Sequence, residues 1–351
     1  MNEASGSKKL LSLILMIGGL AMLVFSLALD FMGTKAAYRG ALLVIGILAV
    51  IAGMYILPTL KYHRTLIYVI FLFPLLFAFV ITVIIPLFLG LFYSFTNWNG
   101  IRYTEFVGLA NYTRMFKQVS FLWSIVLTAL FVVFNMILVN LVAFLLALLC
   151  TSKLKGMGFF RASYFLPNLI GGIVLGYIWQ FIFNNVVTKI FTSMKFSMLA
   201  DTKTAFLGII IVYVWQYAGY IMLIYITGLN TVPGDVLEAA NIDGANAMQT
   251  LFQIKIPMIA PTITICTFLT LTSAFKQFDV NLSLTNGTGS LVFLGEFLTN
   301  GTQMLALNIY NTAVVENEYA FAQAKAFLFF IILACVSILQ VRISNSKEVE
   351  L

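Results

Sequence analysis

Apolar residues in this chain come in long blocks separated by short polar connectors. A helix that crosses the hydrocarbon core of a bilayer takes roughly 20 apolar residues, because every backbone hydrogen bond must close within the segment. Eight stretches meet that test: Leu10 to Leu29, Ala41 to Leu57, Leu66 to Tyr93, Phe121 to Leu149, Tyr164 to Phe183, Ala205 to Leu229, Pro261 to Val280 and Ala324 to Val341. The pattern predicts an all-α, polytopic membrane protein with about eight transmembrane helices. The first stretch follows Lys8 and Lys9 as a secretory signal would, but no small-residue cleavage site follows, so it reads as a helix of the mature chain. Pro74 and Pro86 fall inside the third, which predicts a kink or a separate interfacial helix ahead of the span.

Composition agrees with lipid as the solvent. Of the 351 residues 61% are hydrophobic and 9% charged, against about 45–50% and about 25% in soluble domains, which excludes an ordinary soluble enzyme. The net charge of +7 is scattered between apolar stretches and never forms a stripe, so anionic lipid headgroups account for it and nucleic acid does not. Basic residues fail to orient the chain: with both ends inside, ten of the 20 fall on each side. His63 is the sole histidine, and Cys150, Cys266 and Cys335 lie in or beside apolar runs at unrelated spacings. Membrane-buried thiols are expected, with no metal site, disulfide framework or Ser-His-Asp triad.

Two segments between spans are long enough to have work of their own. Residues 281–323 contain Asn286-Gly287 and Asn300-Gly301, each followed by Thr, and read as a polar loop with some amphipathic content; the triplets match a glycosylation sequon that arises often by chance. Residues 230–260 look helical instead. Asp235 and Glu238 have the form of a helix N-terminus with an Asp cap, Gly244 is a natural stop, and a second short helix is expected from about Asn246 until Pro257 breaks it. Ala239, Ala240 and Gly244 would admit a partner backbone, with Val236, Leu237, Leu251 and Ile254 as apolar anchors. The competing reading is an interfacial helical hairpin lying on the lipid.

Glu238-Ala239-Ala240, then Gly244 after three residues, then Ile254-Lys255-Ile256-Pro257 after nine more, resembles the EAA loop of ABC importer permeases, with Ile256 where that family usually has Leu. Tyr93-Ser94-Phe95-Thr96-Asn97-Trp98, Phe106-Val107-Gly108-Leu109-Ala110-Asn111-Tyr112 and Phe160-Arg161-Ala162-Ser163-Tyr164-Phe165-Leu166-Pro167 resemble the carbohydrate-uptake branch, in its larger, maltose-permease-like member. The large external insertion of the maltose permease has no counterpart in the short segment 94–120, so its contacts do not carry over. The resemblance implies two added helices (1–60) ahead of a six-helix type I core (61–345), with a cytoplasmic coupling loop at 231–260 and both termini inside the cell membrane. It implies that Glu238 pairs with a basic residue of an ATPase subunit and that Gly244 marks the turn seating the loop, with Ala239, Ala240, Asp243 and Pro257 in the same coupling set. The implied partners are a second homologous permease, two ABC ATPases, an external solute-binding protein and a sugar or oligosaccharide. The chain has no Gly-x4-Gly-Lys-Ser/Thr phosphate loop, so ATP and Mg fall to the ATPases, and neither a cofactor nor catalysis is expected of this subunit.

A path for polar cargo needs polar and aromatic groups on inward helix faces. Thr270, Ser273 and Gln277 fall at i, i+3 and i+7 on the seventh span, and Tyr213, Gln216, Tyr217 and Tyr220 share a side of the sixth. Hydroxyl-bonding groups beside aromatic faces suit a sugar. The positions of Gln216, Tyr217, Tyr220, Thr270, Ser273 and Gln277 also resemble those that contact sugar in the maltose system. The same residue types serve equally as interhelical glue and interface anchors. Trp179 and Gln180 are weaker candidates, and Lys276 with Asp279 is expected to form a local ion pair. Two rivals remain at this point. A secondary transporter driven by an ion gradient is disfavoured for protons, though not for sodium, by spans nearly free of Asp and Glu. An intramembrane enzyme would need paired Asp residues or His ligands that are missing.

Overall fold

The long apolar blocks form helices in the computed structural model, which describes residues 3–31, 38–56, 63–103, 105–152, 155–190 and 197–345. Among the described residues seven helices are long and apolar enough to cross a membrane, and up to eight if the bent pair Ala247–Met258 and Ala260–Phe275 is one span. The chain divides into two units, Met1–Leu87 and Phe88–Leu351.

In the first unit α1 (Glu3–Phe31) lies against α2 (Arg39–Ile56) through small residues. A Cβ built on Gly19 would stand 2.7 Å from Gly46 O, and one on Gly53 2.8 Å from Ser12 O. Ser12 Oγ donates to Gly53 O at 2.6 Å. Lipid gives no hydrophobic drive for helices to associate, so close backbone approach supplies the attraction. Next, α3 (His63–Phe79) passes through a π-helical turn, Val80–Ile84, into α4 (Ile85–Ser94). Pro86 has no amide hydrogen to donate to residue 82, and the widened turn lies just ahead of it. Pro74 is accommodated inside α3.

The second unit opens on two of the sequence motifs, which fold onto one another. Asn111 Nδ2 donates to Ser94 O (2.8 Å) and Thr96 O (3.0 Å), Ser94 Oγ and Tyr112 OH share a hydrogen bond of 2.7 Å, and Tyr93 stacks on Trp98 at 4.5 Å. After the short α5 (Ala110–Lys117) comes α6 (Val119–Cys150), then α7 (Met157–Leu169), α8 (Gly172–Phe181), the three-residue α9 (Thr188–Ile190) and α10 (Thr202–Asn230), whose N-terminus Asp201 caps. Phe131 of α6 and Ile209, Tyr213 and Met222 of α10 are fully buried in the core. The predicted fifth span, Tyr164 to Phe183, is corrected: Ile170 is extended (φ −79°, ψ 128°), the helix breaks there, and the membrane-crossing stretch is Gly172–Ile190. Pro167 and the pair Gly171-Gly172 weaken the helix at that point.

α7 packs on α10 at Gly219, where an added Cβ would fall 1.8 Å from Tyr164 O, inside the backbone of its neighbour. Gly219→Val is expected to destabilise the fold by about 2–3 kcal/mol, since no side-chain rotation relieves a clash with a carbonyl. A thermal midpoint in detergent equal to that of the unaltered protein would refute this.

Beyond α10 come α11 (Gly234–Ile242), α12 (Ala247–Gln249), a π-helical turn (Thr250–Lys255), α13 (Ile256–Met258), α14 (Ala260–Phe275) and α15 (Asp279–Thr285). The predicted seventh span ends early, at Phe275. The segment 281–323 is more ordered than a polar loop: α15 enters it, a hairpin pairs β1 (Leu291–Phe293) with β2 (Glu296–Leu298), and α16 (Leu305–Tyr310) follows. Asn286 (φ 50°) and Gly287 (φ 73°) make the expected turn after α15. Asn281 pins the far end of the segment, donating to Thr302 O (2.7 Å) and accepting from Met304 N (3.0 Å). The last helix, α17 (Tyr319–Asn345), exceeds its predicted length. Cys150 and Cys266 are buried in the protein, while Cys335 is exposed on α17.

Candidate functional site

Two features of the second unit combine chemistry with access. The first is the element α11–α13. Its entry differs from the sequence expectation: Pro233 occupies the cap position and Asp235 sits inside the first turn, where its charge complements the helix dipole without a capping hydrogen bond. Its exit is a Schellman turn. Gly244 adopts φ +77°, its N–H donates to Asn241 O (3.2 Å), and Ala245 N–H reaches back to Ala240 O (2.9 Å). The next helix begins with a capping box that the sequence reading missed, although Asn-x-x-Gln signals it: Gln249 N donates to Asn246 Oδ1 (2.9 Å) and Asn246 N to Gln249 Oε1 (2.8 Å). Pro257 does not end this helix. It continues to Met258, and the chain then bends by 72° into α14.

The element's outer surface is apolar, with Ile242 86% exposed and Met248 and Phe252 also exposed. The expected anchors Leu237, Leu251 and Ile254 are half-buried instead, and Ala240 is buried, whereas Ala239, Asp243 and Gly244 are open. Glu238 is exposed, and its carboxylate has neither a hydrogen bond nor an ion pair among the described residues.

The second feature is a cavity of about 410 Å³ lined by Tyr217 and Tyr220 of α10, Leu269, Thr272 and Ser273 of α14, and Lys276, Gln277, Phe278 and Asp279. Four of the six sequence candidates meet there: Tyr217, Tyr220, Ser273 and Gln277. Gln216 and Thr270 lie outside it. Gln216 Nε2 reaches Ile170 O (3.5 Å), at the break between α7 and α8. Thr270 is buried, donating to Cys266 O (2.8 Å) and accepting from Asn140 Nδ2 (3.3 Å). Tyr213 supports the wall from behind: its hydroxyl donates to Ser273 Oγ (2.9 Å) and its ring stacks on Tyr217 at 4.3 Å. Trp179 packs against Phe183 and Trp215, and Gln180 donates to Leu284 O (3.1 Å).

Gln277 is 6% exposed and its Nε2 has no hydrogen-bond partner. Leaving such a donor unmade costs about 1–3 kcal/mol, so an amide held this way at a cavity wall is suited to receive a ligand oxygen. Aromatic rings, hydroxyls and an amide around one space form a surface for a polyhydroxylated molecule. The expected ion pair between Lys276 and Asp279 is not formed; both side chains face the cavity without pairing. Their spacing suits a pair only on a continuous helix, and α14 stops at Phe275.

Comparison with known proteins gives this geometry a context. The chain is 42% identical over 288 residues to a probable starch degradation products transport system permease protein of Thermoanaerobacterium thermosulfurigenes, covering 81% of this chain and 96% of that one. It is 33% identical over 274 residues to a multiple sugar-binding transport system permease protein of Streptococcus mutans, covering 75% and 90%. Among solved structures it resembles a chain of a bacterial ABC transporter involved in import of the acidic polysaccharide alginate, with a TM-score of 0.69 at 17% identity over 82% of this chain and 97% of that one. Residues 156–348 match the family described as binding-protein-dependent transport system inner membrane component, and this match includes α11–α13 and the whole cavity wall. The chain therefore belongs to the ABC importer permeases, the inner membrane components of binding-protein-dependent transport systems.

Proposed function

We propose that this permease carries a sugar, in the form of an oligosaccharide, through a path to which it contributes one half, and that α11–α13 couples it to the ATPases. The observation that carries the reading is the element itself: two short helical segments hinged at a left-handed glycine, bent by 72° from the apolar helix α14, with exposed apolar side chains and an unpaired acid. Such a surface is suited to a protein cleft, with Ile242, Met248 and Phe252 as anchors and Glu238 facing a basic residue of the ATPase.

In this reading both termini are cytoplasmic, residues 1–60 are two added helices, and 61–345 form the six-helix core. Two ATPase subunits bind ATP with Mg, a second homologous permease completes the path, and a solute-binding protein delivers cargo from outside. ATP-driven closure reaches the spans through a rigid lever and switches the site between outward and inward access. Tyr217, Tyr220, Ser273 and Gln277 touch the cargo; Gln216 and Thr270 hold neighbouring helices in place. The names borne by the relatives, starch degradation products and multiple sugars, support an oligosaccharide.

Sided labelling tests it. Ala245→Cys, with the three native cysteines replaced, is expected to stay unlabelled by a membrane-impermeant maleimide in intact cells and to react once the membranes are opened. Labelling in intact cells would place the element outside and overturn the reading.

A further inference from the structure

Two charges in the cavity are left unused by the sugar chemistry described so far. Lys276 and Asp279 are both exposed and both line it, yet neither side chain has a hydrogen bond or ion pair among the described residues. Asp279 is held in position from behind by α8: a Cβ built on Gly172 would stand 2.7 Å from Asp279 Cβ and 3.1 Å from its Oδ2. Only a glycine there leaves the carboxylate its place on the wall. Between the two charges in sequence lies Gln277 with its unpartnered amide.

An ammonium alone would draw anions into this space, and a carboxylate alone would repel them. Together they nearly cancel at a distance, while each stays a strong donor or acceptor at hydrogen-bonding range. In a cavity lined with tyrosine rings, hydroxyls and an amide, an uncharged ligand with closely spaced hydroxyls uses both, one hydroxyl accepting from Lys276 and another donating to Asp279. A sugar bearing a carboxylate gains at Lys276, loses at Asp279 and gives up its own hydration. We propose that Lys276 and Asp279 are specificity-determining residues that bracket a neutral oligosaccharide and select against uronic-acid counterparts. This rests on the reading of the cavity as the transport path.

The test uses the assembled importer in nanodiscs with Tyr220→Cys as reporter and the native cysteines replaced. Its modification rates by an anionic and a cationic methanethiosulfonate are compared across nucleotide states. Asp279→Asn is expected to raise the anionic-to-cationic ratio about fivefold, and Lys276→Met, or Lys276→Gln, to lower it about fivefold, the influence of one unit charge roughly 8–9 Å away in hydrated surroundings, acting with opposite sign on the two reagents. The double variant returns to the starting ratio. A reactive reporter whose ratio none of the single variants moves overturns the proposal and leaves the path reading standing. A reporter unreactive in every nucleotide state removes the cavity from the path and overturns both. With Lys276 and Asp279 intact, maltotriose is expected to slow modification more than trigalacturonate does; stronger protection by trigalacturonate would also overturn the proposal.

Discussion

Gly244→Val is expected to lower recovery of the ATPase with the purified permease by about tenfold while leaving membrane insertion unchanged. Gly244 sits at φ +77°, a conformation that costs an L-residue about 1–2 kcal/mol and a β-branched one more. No heavy atom lies within 4 Å of an added Cβ, so the penalty arises from the backbone and not from a clash inside the chain. The least costly relief is to abandon the left-handed turn. That breaks the Gly244–Asn241 and Ala245–Ala240 hydrogen bonds and re-aims α12, which carries Met248, together with the π-helical turn after it, which bears Phe252. A docking penalty of about 1.4 kcal/mol is a factor of ten in affinity. Gly244→Asn is the control, because Asn tolerates the left-handed region. It should retain most of the ATPase if conformation is what matters. Co-purification of the valine variant at the unaltered level would refute the argument.

The largest loss of stability is expected from Asn308→Leu. Lys325 is fully buried, and its ammonium donates to Asn308 Oδ1 (3.0 Å) and Thr312 Oγ1 (2.8 Å). It also lies 4.4 Å from the centre of the Phe321 ring, whose other neighbour is the Arg114 guanidinium at 4.2 Å. Among the described residues no carboxylate is in ion-pair contact with Lys325. Removing Asn308 strips one of two oxygens from a desolvated charge, at a cost of about 3 kcal/mol. Lys325→Met keeps the length and apolar stem and deletes the charge, so its cost is mainly that of the stranded acceptor Asn308 Oδ1, about 1–2 kcal/mol. The pair then behaves non-additively: Asn308→Leu with Lys325→Met together should recover most of the loss, read as the thermal midpoint in detergent. Additive losses would show that Asn308 stabilises the protein through contacts other than Lys325.

These two cases differ in how much could be read in advance. Gly244 was visible in one dimension because its chemistry is local: a glycine after a short amphipathic run ends a helix wherever the run occurs. Asn246 with Gln249 was equally local, and the pattern was there to be noticed. Lys325 was not legible. At the start of an apolar block it reads as an interface residue, and only α16 and the π-helical turn after it, folded back on α17, bring Asn308 and Thr312 to its ammonium. The break at Ile170 is a different case: Pro167-Asn168 and Gly171-Gly172 mark it locally, but a count of apolar residues passes over such breakers and runs the span through them.

The cavity divides in the same way. Its residue types and helical spacing were plain along the chain, since the expense of burying polar groups in lipid marks them as purposeful. Yet Gln216 and Tyr217 are neighbours in sequence that face different surroundings, and Thr270 sits one turn from Ser273 yet outside the cavity. Hydrophobic block length and local helix signals, which need only residues close along the chain, were enough to establish membrane residence, helical class and the pair of short helical segments hinged at Gly244. The choice of which polar groups bond each other and which stay free, as Gln277, Lys276 and Asp279 do, rests on contacts between residues far apart in sequence, and those exist only once α8, α10, α14 and α15 have packed.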